Sequence, residues 1–121
     1  MCIRDSPNRV LLECQKKDIP ILAIRAVQAG ALTSGMDRQP HPSGMDKADF
    51  IDFERALPFR NLANEWGESP ASLAHRFALS VDKVSSVILG VKNRQELQEC
   101  IDAESKGKLS SHEMETLLNL F

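Results

Sequence analysis

Tyrosine is absent from this 121-residue chain, and with it any phenol that could act as a general acid. No apolar run approaches the ~20 residues needed to span a bilayer, and the first residues lack the apolar segment of a signal peptide. A cytoplasmic location is therefore expected. Three cysteines, Cys2, Cys14 and Cys100, are odd in number and far apart, a pattern that suggests neither a disulfide framework nor a zinc site. They read as reduced thiols, two of them buried. Nor is there an excess of one charge: 15 basic residues face 17 acidic ones, leaving no broad positive field for nucleic acid or an anionic membrane. His41, His75 and His112 have no partners at metal-ligand spacing, so each reads as structural or solvated. What is present, 42% hydrophobic and 26% charged residues, is the composition of a folded globular domain.

Met1 to Ser6 fit no periodic element and read as a non-native tail or, equally on pattern alone, as a natural short one; the domain is taken as residues 7–121. Val10, Leu11 and Cys14 recur at helical spacing within Pro7 to Lys17, with lysines at the end that the helix dipole favours. Ile19 to Ile24 is a nearly unbroken apolar run of strand length, suited to a parallel strand covered on both faces. Arg25 to Asp49 is rich in glycine, proline and polar residues and reads as a long loop. Phe50, Phe53 and Leu57 begin a helical stretch that restarts at Pro58, where Phe59, Leu62, Ala63 and Trp66 mark one face until Gly67.

Ser69-Pro70 has the form of a helix start, and Leu73, Ala74, Phe77 and Ala78 supply the inner face of a helix ending near Ser80. Val84 to Leu89 reads as a second buried strand. Asn93 caps a helix continuing through Ala103, with Leu97, Cys100 and Ile101 on its inner face. A last helix begins at Ser110, which stands at capping-box spacing from Glu113, and Met114, Leu117, Leu118 and Phe121 form its apolar stripe. The order is that of an α/β fold with parallel strands. Two such strands alone leave their edges open, which implies further strands beyond those written here.

Three segments carry a resemblance. They are Ala23-Ile24-Arg25-Ala26-Val27-Gln28-Ala29-Gly30-Ala31-Leu32, Ser72 to Ser80, and Val84-Ser85-Ser86-Val87-Ile88-Leu89-Gly90-Val91-Lys92-Asn93. Together they resemble the last quarter to third of the aldo/keto reductase family, over residues 7–121. The resemblance implies the C-terminal fragment of a (β/α)8 TIM barrel, with its seventh and eighth strands and their covering helices. It implies NADP or NAD as cofactor, a small carbonyl substrate for the whole protein, and an adenosine and pyrophosphate site on the loops after those strands. Carried over position by position, that site comprises Arg25, Val27, Gly30 and Leu32 on the first loop. On the second loop and the helix after it stand Gly90, Val91, Lys92, Glu96, Glu99 and Cys100.

The chemistry of these residues bears on the resemblance. Gly30 and Gly90 let backbone approach a ligand, and the helix opening at Asn93 offers free amides to an anion. Lys92 adds a cation there or is a solvated surface residue. Glu96 stands where the family often has Gln or Arg. Either it accepts hydrogen bonds from ribose hydroxyls, which favours NAD, or it closes a capping box with Asn93. Cys100 replaces the usual Asn at the adenine contact, and Arg25 pairs either with the pyrophosphate or with a protein carboxylate.

The family's proton donor is a Tyr supported by Lys, Asp and often His, all from earlier in the barrel. The expected function is thus the cofactor-binding end of an NAD(P)-dependent oxidoreductase, without catalytic residues of its own and prone to self-association when isolated. The alternative is a regulatory or interaction protein with the same barrel and no activity. A free-standing small α/β domain is disfavoured, because two parallel strands bury too little.

Overall fold

The computed structural model describes residues 6–120. Most of the proposed tail, together with Cys2 and Phe121, lies outside them, and Ser6 already opens the first helix. Helix α1 spans Ser6–Lys16 and leads into strand β1, Ile21–Ala23. A long loop follows, holding one turn of 3-10 helix at Gln28–Gly30, and ends at α2, Lys47–Arg55. Helices α3, Leu57–Glu65, and α4, Pro70–Ser80, precede strand β2, Val84–Val87. Helices α5, Arg94–Lys106, and α6, Ser111–Leu118, complete the chain. The content is α/β, with six α-helices and one two-stranded parallel sheet among the described residues.

Local chemistry sets the boundaries. Ala56 separates α2 from α3, whose first turn accepts Pro58 because an amide there needs no partner. Gly67 ends the run after α3 with φ +66°, a conformation that favours glycine. Ser69 caps α4 by accepting from Ser72 N–H at 3.1 Å. Asn93 does the same for α5 through Glu96 N–H at 2.9 Å. At α6 the capping box is complete, Glu113 accepting from Ser110 N–H while Ser110 Oγ accepts from Glu113 N–H.

The core lies among the helices. Phe59 and Ala63 of α3, Leu73 and Ala74 of α4, Leu109, and Leu117 of α6 are buried together, with Leu62, Trp66, Phe77 and Met114 packed around them. Several expected inner positions face out instead. Leu97 and Ile101 of α5 are about half exposed, because that helix turns Cys100 and Ala103 inward. Leu57 and Leu118 are likewise exposed, and Cys14 is only half-buried where burial is expected.

The strands depart furthest from expectation. The apolar runs at 19–24 and 84–89 form strands of three and four residues, and they are not covered on both faces. Leu22, Ile24, Ile88 and Leu89 are 57%, 66%, 52% and 41% exposed. Each strand pairs on one side only, so its outer edge has no hydrogen-bonding neighbour among the described residues. The pairing itself is parallel, with Ile21 opposite Val84, Leu22 opposite Ser86 and Ala23 opposite Val87, irregular between the first two pairs. It continues past the strand ends through Ile88 N–H to Ala23 O at 2.8 Å.

Candidate functional site

Parallel pairing brings the C-terminal ends of both strands to one end of the sheet, so the loops leaving β1 and β2 begin side by side. That is where the candidate residues of the two loops were expected to meet. A side-chain contact confirms that the loops touch: Lys92, just before α5, is paired with Asp37 of the first loop. Glu96, in the first turn of α5, is the second carboxylate on Lys92, at 3.4 Å. Its other oxygen accepts from Lys92 N–H at 2.7 Å. The capping-box reading of Glu96 is therefore displaced by one residue, from Asn93 N–H to Lys92 N–H. Asp37 titrates below its ordinary value because Lys92 donates to it, and Lys92 is raised by the same contact.

Gly90 is not held to glycine by its own fold. Its φ is not positive, and a Cβ built there would meet no atom within 4 Å. The loop therefore presents bare backbone on an open face, beside the helix start at Asn93, where the first amides have no intrahelical acceptor. Val91 next to it is exposed. What the loop could offer a diphosphate is Lys92, which Asp37 and Glu96 already pair, the opening amides of α5 other than that of Glu96, and a backbone surface that a ligand can approach.

The first loop is more self-contained. Arg25, Gln28 and Ala29 all have positive φ, as does Gly30 at +97°, where only glycine is at ease. Gly30 N–H donates to Val27 O at 3.0 Å, and Leu32 N–H donates to the same carbonyl at 3.1 Å. Val27 and Leu32 pack against the helical core. These residues shape the turn, and the amides of Gln28, Gly30, Ala31 and Leu32 are already engaged. Arg25 donates to Asp49 of α2 at 2.8 Å, and Arg38 donates to the other oxygen of Asp49 at 2.7 Å. Arg25 is thus held by a protein carboxylate. Asp49 is lowered in turn, chiefly by the Arg38 hydrogen bond, against some desolvation.

The two remaining candidates face the α4–α5 contact. Glu99 accepts from Ser69 Oγ at the start of α4. Cys100 is buried, with Sγ 3.2 Å from Nε2 of His75. Burial pushes the Cys100 thiol up, and the neighbouring Glu99 and Glu96 push it further. Burial also lowers His75, against Glu99, which raises it. Both groups are kept neutral, and Nδ1 of His75 has no hydrogen-bond partner.

The structure thus joins Lys92, Glu96 and Gly90 at one mouth and directs Val27, Leu32 and Cys100 into packing. Sequence reasoning missed Asp37, Arg38 and Asp49, since their partners lie 11 to 55 residues away and no local pattern marks them. Among the described residues no group of three His, Cys, Asp or Glu side chains could hold a metal ion, and no helix is long and apolar enough to cross a membrane. Compared with known proteins, the chain matches the model of the Aldo/keto reductase family over residues 1–120. No curated protein matches it.

Proposed function

The chain belongs to the aldo/keto reductase family, and from that premise we propose that it is the C-terminal, cofactor-binding part of an NAD(P)-dependent oxidoreductase acting on carbonyl or alcohol substrates. The observation that carries this reading is the parallel register of β1 and β2, which sets both candidate loops at one end of the sheet. In a (β/α)8 barrel that end is where active sites are built and where phosphate groups rest. The two strands would be consecutive staves of such a barrel, the long connection through α2 to α4 forming their crossover.

In this reading Lys92 and the opening amides of α5 hold the pyrophosphate. Backbone at Gly90 and Val91 borders it. Glu96 addresses the adenosine ribose, and the turn at Gly30 closes the other side. The nicotinamide, when bound, supplies or accepts the hydride. The part these residues play is binding and orientation: they spend contacts on the adenosine half, remote from the reacting carbon. A general acid is supplied from elsewhere in the protein, since the chain has no tyrosine.

Nuclear magnetic resonance titration of the chain with ADP-ribose tests the placement. Amide shifts are expected in the loops 24–38 and 88–96 and not on α6. Shifts centred on α6 or α1, or none at saturating ligand, would remove the basis for the proposal.

A further inference from the structure

Helices α4 and α5 pack against each other, and His75 meets Cys100 inside that contact, the two residues 8% and 7% exposed. Nε2 of His75 lies 3.2 Å from Cys100 Sγ, and Nδ1 has no hydrogen-bond partner among the described residues. Leu73 and Ala74 of α4 and Ala103 of α5 are almost fully enclosed on the same two helices. Two neutral groups suit such a place. An imidazolium does not, because both its nitrogens then donate, the thiol is a weak acceptor, and Nδ1–H finds no acceptor at all.

Few charges are placed to compensate. Glu99 of α5 is the one that bears on His75, and its carboxylate already accepts from Ser69 Oγ. Glu96, with Glu99, acts on the Cys100 thiol. Further along the contact, Arg76 and Lys106 are engaged by Glu68. Of the other elements on α4, β2 has no titratable side chain. On α3, Arg60 lies over the Phe53 ring and donates to Ala31 O, and Glu65 is exposed. On α6, Glu113 bears on Arg76 and Glu68, while His112 and Glu115 are exposed. Burial outweighs Glu99, so proton uptake by His75 favours any arrangement in which the ring reaches water. The direct route is for the first half of α5 to move off α4, and that half opens at Asn93, beside Lys92. Resting on the dinucleotide reading above, we propose that His75 is a proton-operated tie between α4 and α5, holding α5 in place for the ligand while neutral and letting it part from α4 once protonated. His75 touches no ligand in this scheme; it is a positioning residue that works through α5.

Calorimetric titration of the chain with ADP-ribose at about pH 7.5 and 5.5, on either side of the ordinary histidine value, tests this without turnover, because the ligand's diphosphate diester keeps its charge throughout. Binding should weaken about threefold or more as pH falls, and by reciprocity ADP-ribose should move the titration of the His75 ring, followed by NMR, to lower pH. His75→Leu should bind equally well at both pH values. A Kd that does not change with pH in the unsubstituted chain overturns the proposal while leaving the dinucleotide site in place. A pH dependence that survives His75→Leu belongs to another group, such as His41 or His112, and overturns it as well. Should that variant fail to fold, the ring titration decides alone: a midpoint unmoved by ADP-ribose overturns the proposal, and a downward move supports it. No binding at either pH removes the dinucleotide site and the coupling with it.

Discussion

His75 occupies the middle of α4 with only 8% of its surface exposed, and its two ring nitrogens fare differently. Nε2 meets the Cys100 thiol, while Nδ1 is buried with no partner. Whichever nitrogen bears the proton, one polar atom is left unsatisfied, a cost that an apolar side chain would not incur. Its folded-state pKa is held below the ordinary value, first by burial. The unfolded chain therefore binds more protons than the folded one as pH falls below the ordinary histidine value of about 6.5. Stability contributed by neutral His75 is fully present above that pH and is lost as pH falls toward the lowered folded pKa. Urea denaturation at pH 7.5 and 5.5 should show a drop in midpoint, and His75→Leu should flatten the part due to this residue. A slope identical in the substituted chain would show that His75 does not titrate on unfolding. The sequence marks His75 only as a histidine between apolar neighbours. Its partner lies 25 residues away, so its burial was not legible, whereas Cys100 falls on the inner face that helical spacing gives it, and Lys92 and Gly90 stand next to a cap signal that local pattern does carry.

At the scale of elements, the helix starts were the most legible feature, because capping depends on residues within three positions of one another. Ser69, Asn93 and Ser110 all make the hydrogen bonds their spacing implies. How the helices are fastened together was not legible, since the fastening is long-range. Glu68, at the turn before α4, is the hub. Its side chain is 7% exposed, and its carboxylate accepts from Arg76 at 2.7 Å, from Ser72 and from Lys106 at the end of α5. Arg76 also donates to Gly107 O at 2.9 Å. Burial pushes the Glu68 carboxyl up, yet the hydrogen bonds from Ser72, Arg76 and Lys106 more than offset this, and it titrates below its usual range. Removing the charge leaves Arg76, 13% exposed, without its counter-ion. Glu68→Gln should therefore cost about 3 kcal/mol of unfolding free energy, the low end for breaking a buried ion pair, as measured by denaturant titration. A loss below about 0.5 kcal/mol would class the contact with surface pairs.

For the whole molecule, the apolar runs at 19–24 and 84–89 announced parallel strands, and the parallel pair is there. The open edges follow from there being only two such runs; what the runs could not show is that the strand faces would also remain uncovered, because that coverage depends on residues outside the runs. Leu22 and Ile24 beside β1, with Ile88 and Leu89 beyond β2, expose more apolar surface than their sequence pattern calls for. Among the described residues the sheet has two strands, two open edges and exposed apolar side chains, and in the barrel proposed above closure would remove both edges. Left alone, the same surface is a template for pairing with another copy. The purified chain should therefore sediment as oligomers at micromolar concentrations, where exposed apolar surface and strand edges drive association. Leu22→Lys combined with Ile24→Lys should shift it toward the monomer, since charged side chains on an edge strand oppose edge pairing. A substitution on the far side of the molecule, such as Leu118→Lys on α6, provides the contrast. If that change disperses the oligomers and the β1 changes do not, association runs through the helical face and the sheet is not the open side of the fold.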